Sequence, residues 1–197
     1  KPFDDPKVRK AVSLAVDREQ FVRIIKRGFA EPIWGPFPAP WGNADINHGY
    51  DPQKAEQLLE EAGYTKGSDG VRLRLKPLVL DYRDFVPMSE LLKEQLAKVG
   101  IEMDLQIMEY PSWLQKIYKD YEFDMVPSTL SYYGGDPNMA SSRYLTTASI
   151  KPGVPFTNAM RYSNPEIDSL FEASAKETDP KKRADILFKA QDILNED

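Results

Sequence analysis

Cysteine is absent from the 197 residues, which removes disulfides, thiol nucleophiles and thiolate metal sites together and is compatible with export. Histidine occurs once, as His48 in NADINHGYD, with no G-x-S-x-G element beside it. A hydrolase triad or an imidazole metal site therefore has little to draw on, and His48 reads as a loop histidine. No stretch approaches the roughly 18 apolar residues of a membrane span, and the opening KPFDDPKVRK holds no apolar core of a signal peptide. Lys and Arg number 26 against 31 Asp and Glu, with no basic block. Nucleic acid is an unsuited partner.

What remains is ordinary globular material: 41% hydrophobic and 29% charged residues, a net charge of −5, and length enough for one large domain or two small ones. Asp5-Pro6, Asp51-Pro52, Asn164-Pro165 and Asp179-Pro180 each pair a capping side chain with proline at the first helical position. Helices are expected after each, and another after Asp17. Residues 30–50 hold Trp34, Trp41 and several prolines without a period, which predicts a stiff loop.

From Val71 the pattern alternates to Leu75 and runs on to Leu80, then returns to helical spacing from Met88 to Val99, and alternates again from Ile101 to Ile107. This is strand, helix, strand. A short helix around Trp113 to Tyr118 and a third strand, FDMV at 123–126, extend it to two crossovers, which predicts parallel strands. Ligands of open parallel sheets bind beyond the carboxyl ends of the strands. The segments there are DYRD (81–84), MEYPSW (108–113) and PSTLSYYGGDP (127–137).

Within the last of these, SYYGGDPNM (131–139) lacks the glycine spacing of a phosphate cradle. It reads either as a turn or as a wall of a binding site. Loop aromatics give large contact area at low entropic cost, which favours recognition by Tyr132 and Tyr133, with Gly134 admitting close approach. Tyr82, Trp34 and Trp41 join the candidates. Trp113 has two readings, a contact residue or a core residue of its short helix. Arg83 also has two, a bidentate partner for a ligand carboxylate or a solvated loop arginine. Asp81, Asp84 and Asp136 are the acids that an enzyme, a peptidase or glycosidase, would use, and a chaperone-like interaction module is a third class.

Five stretches, FDDPKVRKAVSLAVDREQFV (3–22), YDPQKAEQLLEEAGY (50–64), SELLKEQLAKVGIEMDLQIMEY (89–110), YEFDMVPSTLSYYGGDPN (121–138) and RYSNPEIDSLFEASAKETDPKKRADILFKAQDILNED (161–197), closely resemble the C-terminal lobe of extracellular solute-binding proteins of family 5. The resemblance implies an α/β, periplasmic-binding-protein-like (type II) lobe with a small, mainly parallel sheet flanked by helices. It also implies a receptor of an ABC importer, not an enzyme, that captures an oligopeptide-like solute between two lobes and delivers it to a membrane permease without a cofactor. Nickel chelates, opines and oligosaccharides are the other solutes it suggests. On this reading residues 1–197 are one lobe of a monomeric, periplasmic or otherwise extracytoplasmic protein, whose N-terminal lobe lies outside the chain. Many peptide-binding relatives carry W-x-G-D-x-x-D-P, whose first Asp receives the peptide amine. Aligning Asp136-Pro137 with the closing pair puts Tyr133 at that position, so the amine anchor is missing unless Asp136 replaces it.

Overall fold

The computed structural model describes residues 2–43, 46–47, 49–129 and 135–197. His48, Tyr132, Tyr133 and Gly134 lie outside the described residues. The chain divides into two compact units, one of Lys1–Pro32, His48–Trp113 and Glu122–Ser128, the other of Ile33–Asn47, Leu114–Tyr121 and Thr129–Asp197.

The first unit opens with α1 (Pro6–Leu14), α2 (Arg18–Ile24) and α3 (Pro52–Glu61). Asp5, Asp17 and Asp51 each accept a backbone N–H of the first turn, and Pro6 and Pro52 occupy positions where a missing N–H costs nothing. Then come β1 (Leu73–Leu75), β2 (Leu78–Leu80), α4 (Phe85–Ala97), β3 (Ile101–Met103) and β4 (Gln106–Met108). β1 pairs with β3 and β2 with β4, both parallel. The two ladders share one offset along the chain, Leu75 opposite Met103 and Leu78 opposite Gln106. They are one strand pair interrupted in the middle.

The interruption has a local cause. Pro77 has no N–H to donate, so the ladder survives there only through Asp104 N donating to Leu75 O and Gln106 N to Pro77 O, each at 2.9 Å. The single strand expected from Val71 to Leu80 is therefore two short ones. Strict alternation also ends at the break: Ile101 and Met103 are buried, Leu105 is half-buried and Ile107 is exposed. The third strand expected at 123–126 does not form. Leu78 N donates to Met125 O at 3.0 Å, but no ladder develops, and Pro127 removes the next donor.

Leu59, Leu75, Leu96, Val99, Ile101 and Met103 build the core of this unit together with α1 and α3 residues Val8, Ala11 and Ala55. Buried Gln95 ties α4 to the α1–α2 corner: its Oε1 accepts from Asp17 N at 3.0 Å, and its Nε2 donates to Asp17 O and to Gln20 Oε1. Arg72 closes the other side. Its Nη1 donates to Tyr64 O at 2.9 Å and to Glu60, and its Nη2 meets Glu56 at 3.1 Å.

α5 (Tyr110–Leu114) follows β4 and widens into a π-helical turn, Gln115–Asp120, which belongs to the second unit. α6 (Pro137–Ala140), α7 (Ser142–Leu145), α8 (Pro165–Lys176) and α9 (Pro180–Glu196) complete that unit. Asp136, Asn164 and Asp179 cap α6, α8 and α9, each followed by proline. Ile167, Phe171, Leu187, Ala190 and Phe37 form its core, with Phe37 edge-on to Phe171 at 6.0 Å.

Candidate functional site

In the first unit β2 and β4 end side by side, Leu80 opposite Met108, and Asp81 N donates to Met108 O at 2.9 Å. The loops that follow, 81–84 and 109–113, therefore leave from one edge, where parallel sheets bind ligands. Residues 81–84 fold tightly: Tyr82 N donates to Leu80 O and Phe85 N to Tyr82 O. Arg83 adopts a left-handed conformation, φ +50°, a state that costs a non-glycine residue about 1–2 kcal/mol.

That turn sets three side chains. The Arg83 guanidinium carbon lies 4.9 Å from the Tyr82 ring centroid, and the ring is 50% exposed. Asp84 does not cap α4 with its side chain; it is held by Lys26 Nζ at 2.5 Å. The resulting surface is an aromatic face beside an exposed cation, with its adjacent acid already paired.

Across the strand pair, Tyr110 is 47% exposed and stacks on Trp113 at 6.4 Å with the rings 16° from parallel. Trp113 itself is 3% exposed. It backs Tyr110 from within the core, so of the two readings open for Trp113 the packing one describes its position. Tyr110, one of the aromatics of the 108–113 segment, is the ring that faces outward.

In the second unit the Trp34–Trp41 loop is ordered by packing. Trp41 is half-buried against the α8–α9 core, and buried Gln191 donates to Trp41 O at 2.8 Å while accepting from Asn43 N at 3.1 Å. Trp34 is half-buried. Asp136 Oδ1 accepts from Asn138 N at 2.9 Å as the α6 cap and from Arg183 Nη2 at 2.7 Å. The Arg183 guanidinium carbon also stands 4.9 Å over the Trp41 ring. Trp41 and Asp136 thus meet through a residue that sequence reasoning did not single out. Among the described residues no cluster of His, Cys, Asp and Glu suits a metal ion, and no helix is long and apolar enough to cross a membrane.

Residues 1–152 match the model of the family described as bacterial extracellular solute-binding proteins, family 5 Middle. The chain belongs to this family. It is 29% identical over 200 residues to the glutathione-binding protein GsiB of Salmonella paratyphi A, covering 98% of this chain and 38% of that protein. It is 30% identical over 201 residues to heme-binding protein A of Haemophilus influenzae, covering 98% of this chain and 35% of the relative. Among solved structures, the periplasmic binding protein DppA of Helicobacter pylori, in complex with the peptide STSA, superposes with a TM-score of 0.83 at 25% identity, covering 100% of this chain and 37% of DppA. The chain thus spans less than two fifths of the length of these relatives. The fold is the mixed α/β, periplasmic-binding-protein-like lobe with short parallel strands flanked by helices. The family is one of binding proteins rather than enzymes, and its members are extracytoplasmic.

Proposed function

We propose that this family 5 chain is one lobe of the solute-binding component of an ABC importer. The complete receptor is a monomer whose second, N-terminal lobe closes on an oligopeptide-like solute and presents it to a membrane permease. The observation that carries this reading is the edge where β2 and β4 end together, with outward-facing Tyr82, Tyr110 and Arg83 gathered over it. Rings of this kind give contact area, and the guanidinium gives a planar fork for carboxylates.

The solute class follows from the cation. Glutathione, heme and peptides, for which the relatives are named, all carry carboxylates, and Arg83 suits that shared group. Trp113 acts from behind through Tyr110, and Trp34, Trp41, Tyr132, Tyr133 and Gly134 stay candidates for solute contact on their aromatic and glycine chemistry alone. Recognition needs no bond making and no cofactor.

Calorimetry on the complete receptor with glutathione and trialanine tests this. In Tyr82→Ala, affinity for whichever binds should fall by about 1–3 kcal/mol, the range for losing an aromatic anchor, with the unfolding midpoint nearly unchanged because the ring is half exposed. Arg83→Gln should weaken the free carboxylate form more than its amide. If both variants bind like the parent, this edge is not the solute site.

A further inference from the structure

Asp136 is the only acidic residue between Asp124 and Glu166, so it is the one carboxylate that this stretch could offer to a solute. Its Oδ1 is already committed. Besides capping α6, it takes Arg183 Nη2 at 2.7 Å, with the two side chains only 31% and 17% exposed. Arg183 is in turn held by further contacts: Nε donates to Ser174 O at 2.9 Å, and its guanidinium carbon lies 4.9 Å from the Trp41 ring centroid. Matching donors to acceptors turns the Asn138 amide so that its oxygen accepts from Arg183 Nη2 at 2.9 Å and from Ala175 N at 3.2 Å.

We propose that Arg183 is a specificity-determining residue that withdraws Asp136 from recognition, so that the solute end meeting this loop is neutral or anionic rather than a protonated amine. The proposal rests on the receptor reading and deepens it. An ammonium approaching Asp136 Oδ1 would have to displace a guanidinium fixed by a carboxylate, two carbonyl-type oxygens and a ring face. One approaching Oδ2 would meet a carboxylate whose charge Arg183 already neutralises, and that guanidinium's own positive charge at close range in a half-buried site. Charge-assisted bonds of this geometry are among the stronger polar contacts in proteins. Arg183 also fixes Trp41 and the residues that follow Gly135, so the same contact that removes the carboxylate orients the neighbouring aromatic.

The test reads Asp136 directly. In the 197-residue chain labelled with 13C-aspartate, the side-chain carboxyl resonance of Asp136 is followed while millimolar trialanine, or N-acetyl-trialanine as control, is added. The parent resonance should not move with either. In Arg183→Met the freed carboxylate should shift with trialanine and not with its acetylated form, and Arg183→Lys, which keeps a cation opposite Asp136, should restore the parent response. A trialanine-specific shift in the parent overturns the proposal. So does an Arg183→Met chain that retains its circular dichroism and shows no response. If Arg183→Met does not fold, the parent and Arg183→Lys titrations still decide, since both must stay silent. The readout needs no solute bound to the parent, so a failed receptor reading appears in the calorimetry above and not here.

Discussion

Replacing Leu96 with alanine is expected to lower the unfolding free energy by about 2–5 kcal/mol, the range for emptying a fully buried leucine site. Leu96 is 0% exposed and sits in the cluster that joins α4 to β1 and β3, among Leu75, Val99, Ile101 and Met103. Its neighbours belong to strands already interrupted at Pro77, so they cannot close over the void without disturbing the remaining ladder. Leu105→Ala should cost clearly less, because Leu105 is half-buried at that interruption. Urea denaturation of both variants gives the comparison. A Leu96→Ala loss under about 1 kcal/mol, or a larger loss for Leu105→Ala, would contradict this placement of the core.

The second large effect concerns Arg72, whose side chain is 7% exposed although it carries a charge. It bridges α3 to the start of β1: Glu56 and Glu60 on one side, the Tyr64 carbonyl on the other. Arg72→Ala should cost roughly 2–4 kcal/mol, the sum of an unsatisfied carbonyl and the lost burial of the aliphatic stem. The carboxylates themselves contribute less to that loss, because both reach solvent and can be rehydrated.

A pH signature accompanies it. Lys66, and then Arg72, hold the Glu56 carboxyl below its ordinary value of 4.5. A carboxyl depressed in the folded state contributes stability above its unfolded pKa and loses it as pH falls through the folded value. The parent should therefore lose stability below about pH 4.5 more steeply than Glu56→Gln, which starts weaker at neutral pH and changes less. Parallel slopes would mean that Glu56 titrates alike in the folded and unfolded chain.

Much of this architecture is written in short-range chemistry. Asp5-Pro6, Asp51-Pro52, Asn164-Pro165 and Asp179-Pro180 announce helix starts because cap and proline act within one turn. The parallel pairing is legible because two alternating runs flank one amphipathic helix. FDMV misleads for a physical reason: four residues satisfy the pattern, but a strand needs a continuing ladder, and only Leu78 N reaches Met125 O. Trp113 keeps two readings, contact or core of its short helix, until α5 is seen to start at Tyr110, which turns its ring inward and leaves Tyr110 outside. Arg183 was beyond reach of any local pattern. It stands 47 residues from Asp136, and what joins them is the packing of α6 against α8 and α9.

Capture without chemistry is tested most directly by native mass spectrometry of the complete receptor purified from its own organism without denaturation, followed by identification of whatever it carries. A solute-binding receptor yields one released solute of carboxylate-bearing, peptide-like class, chemically intact, and rebinds it unchanged after prolonged incubation. Recovery of cleaved products, or turnover of the rebound solute in place of retention, would contradict the receptor reading and point to an enzyme.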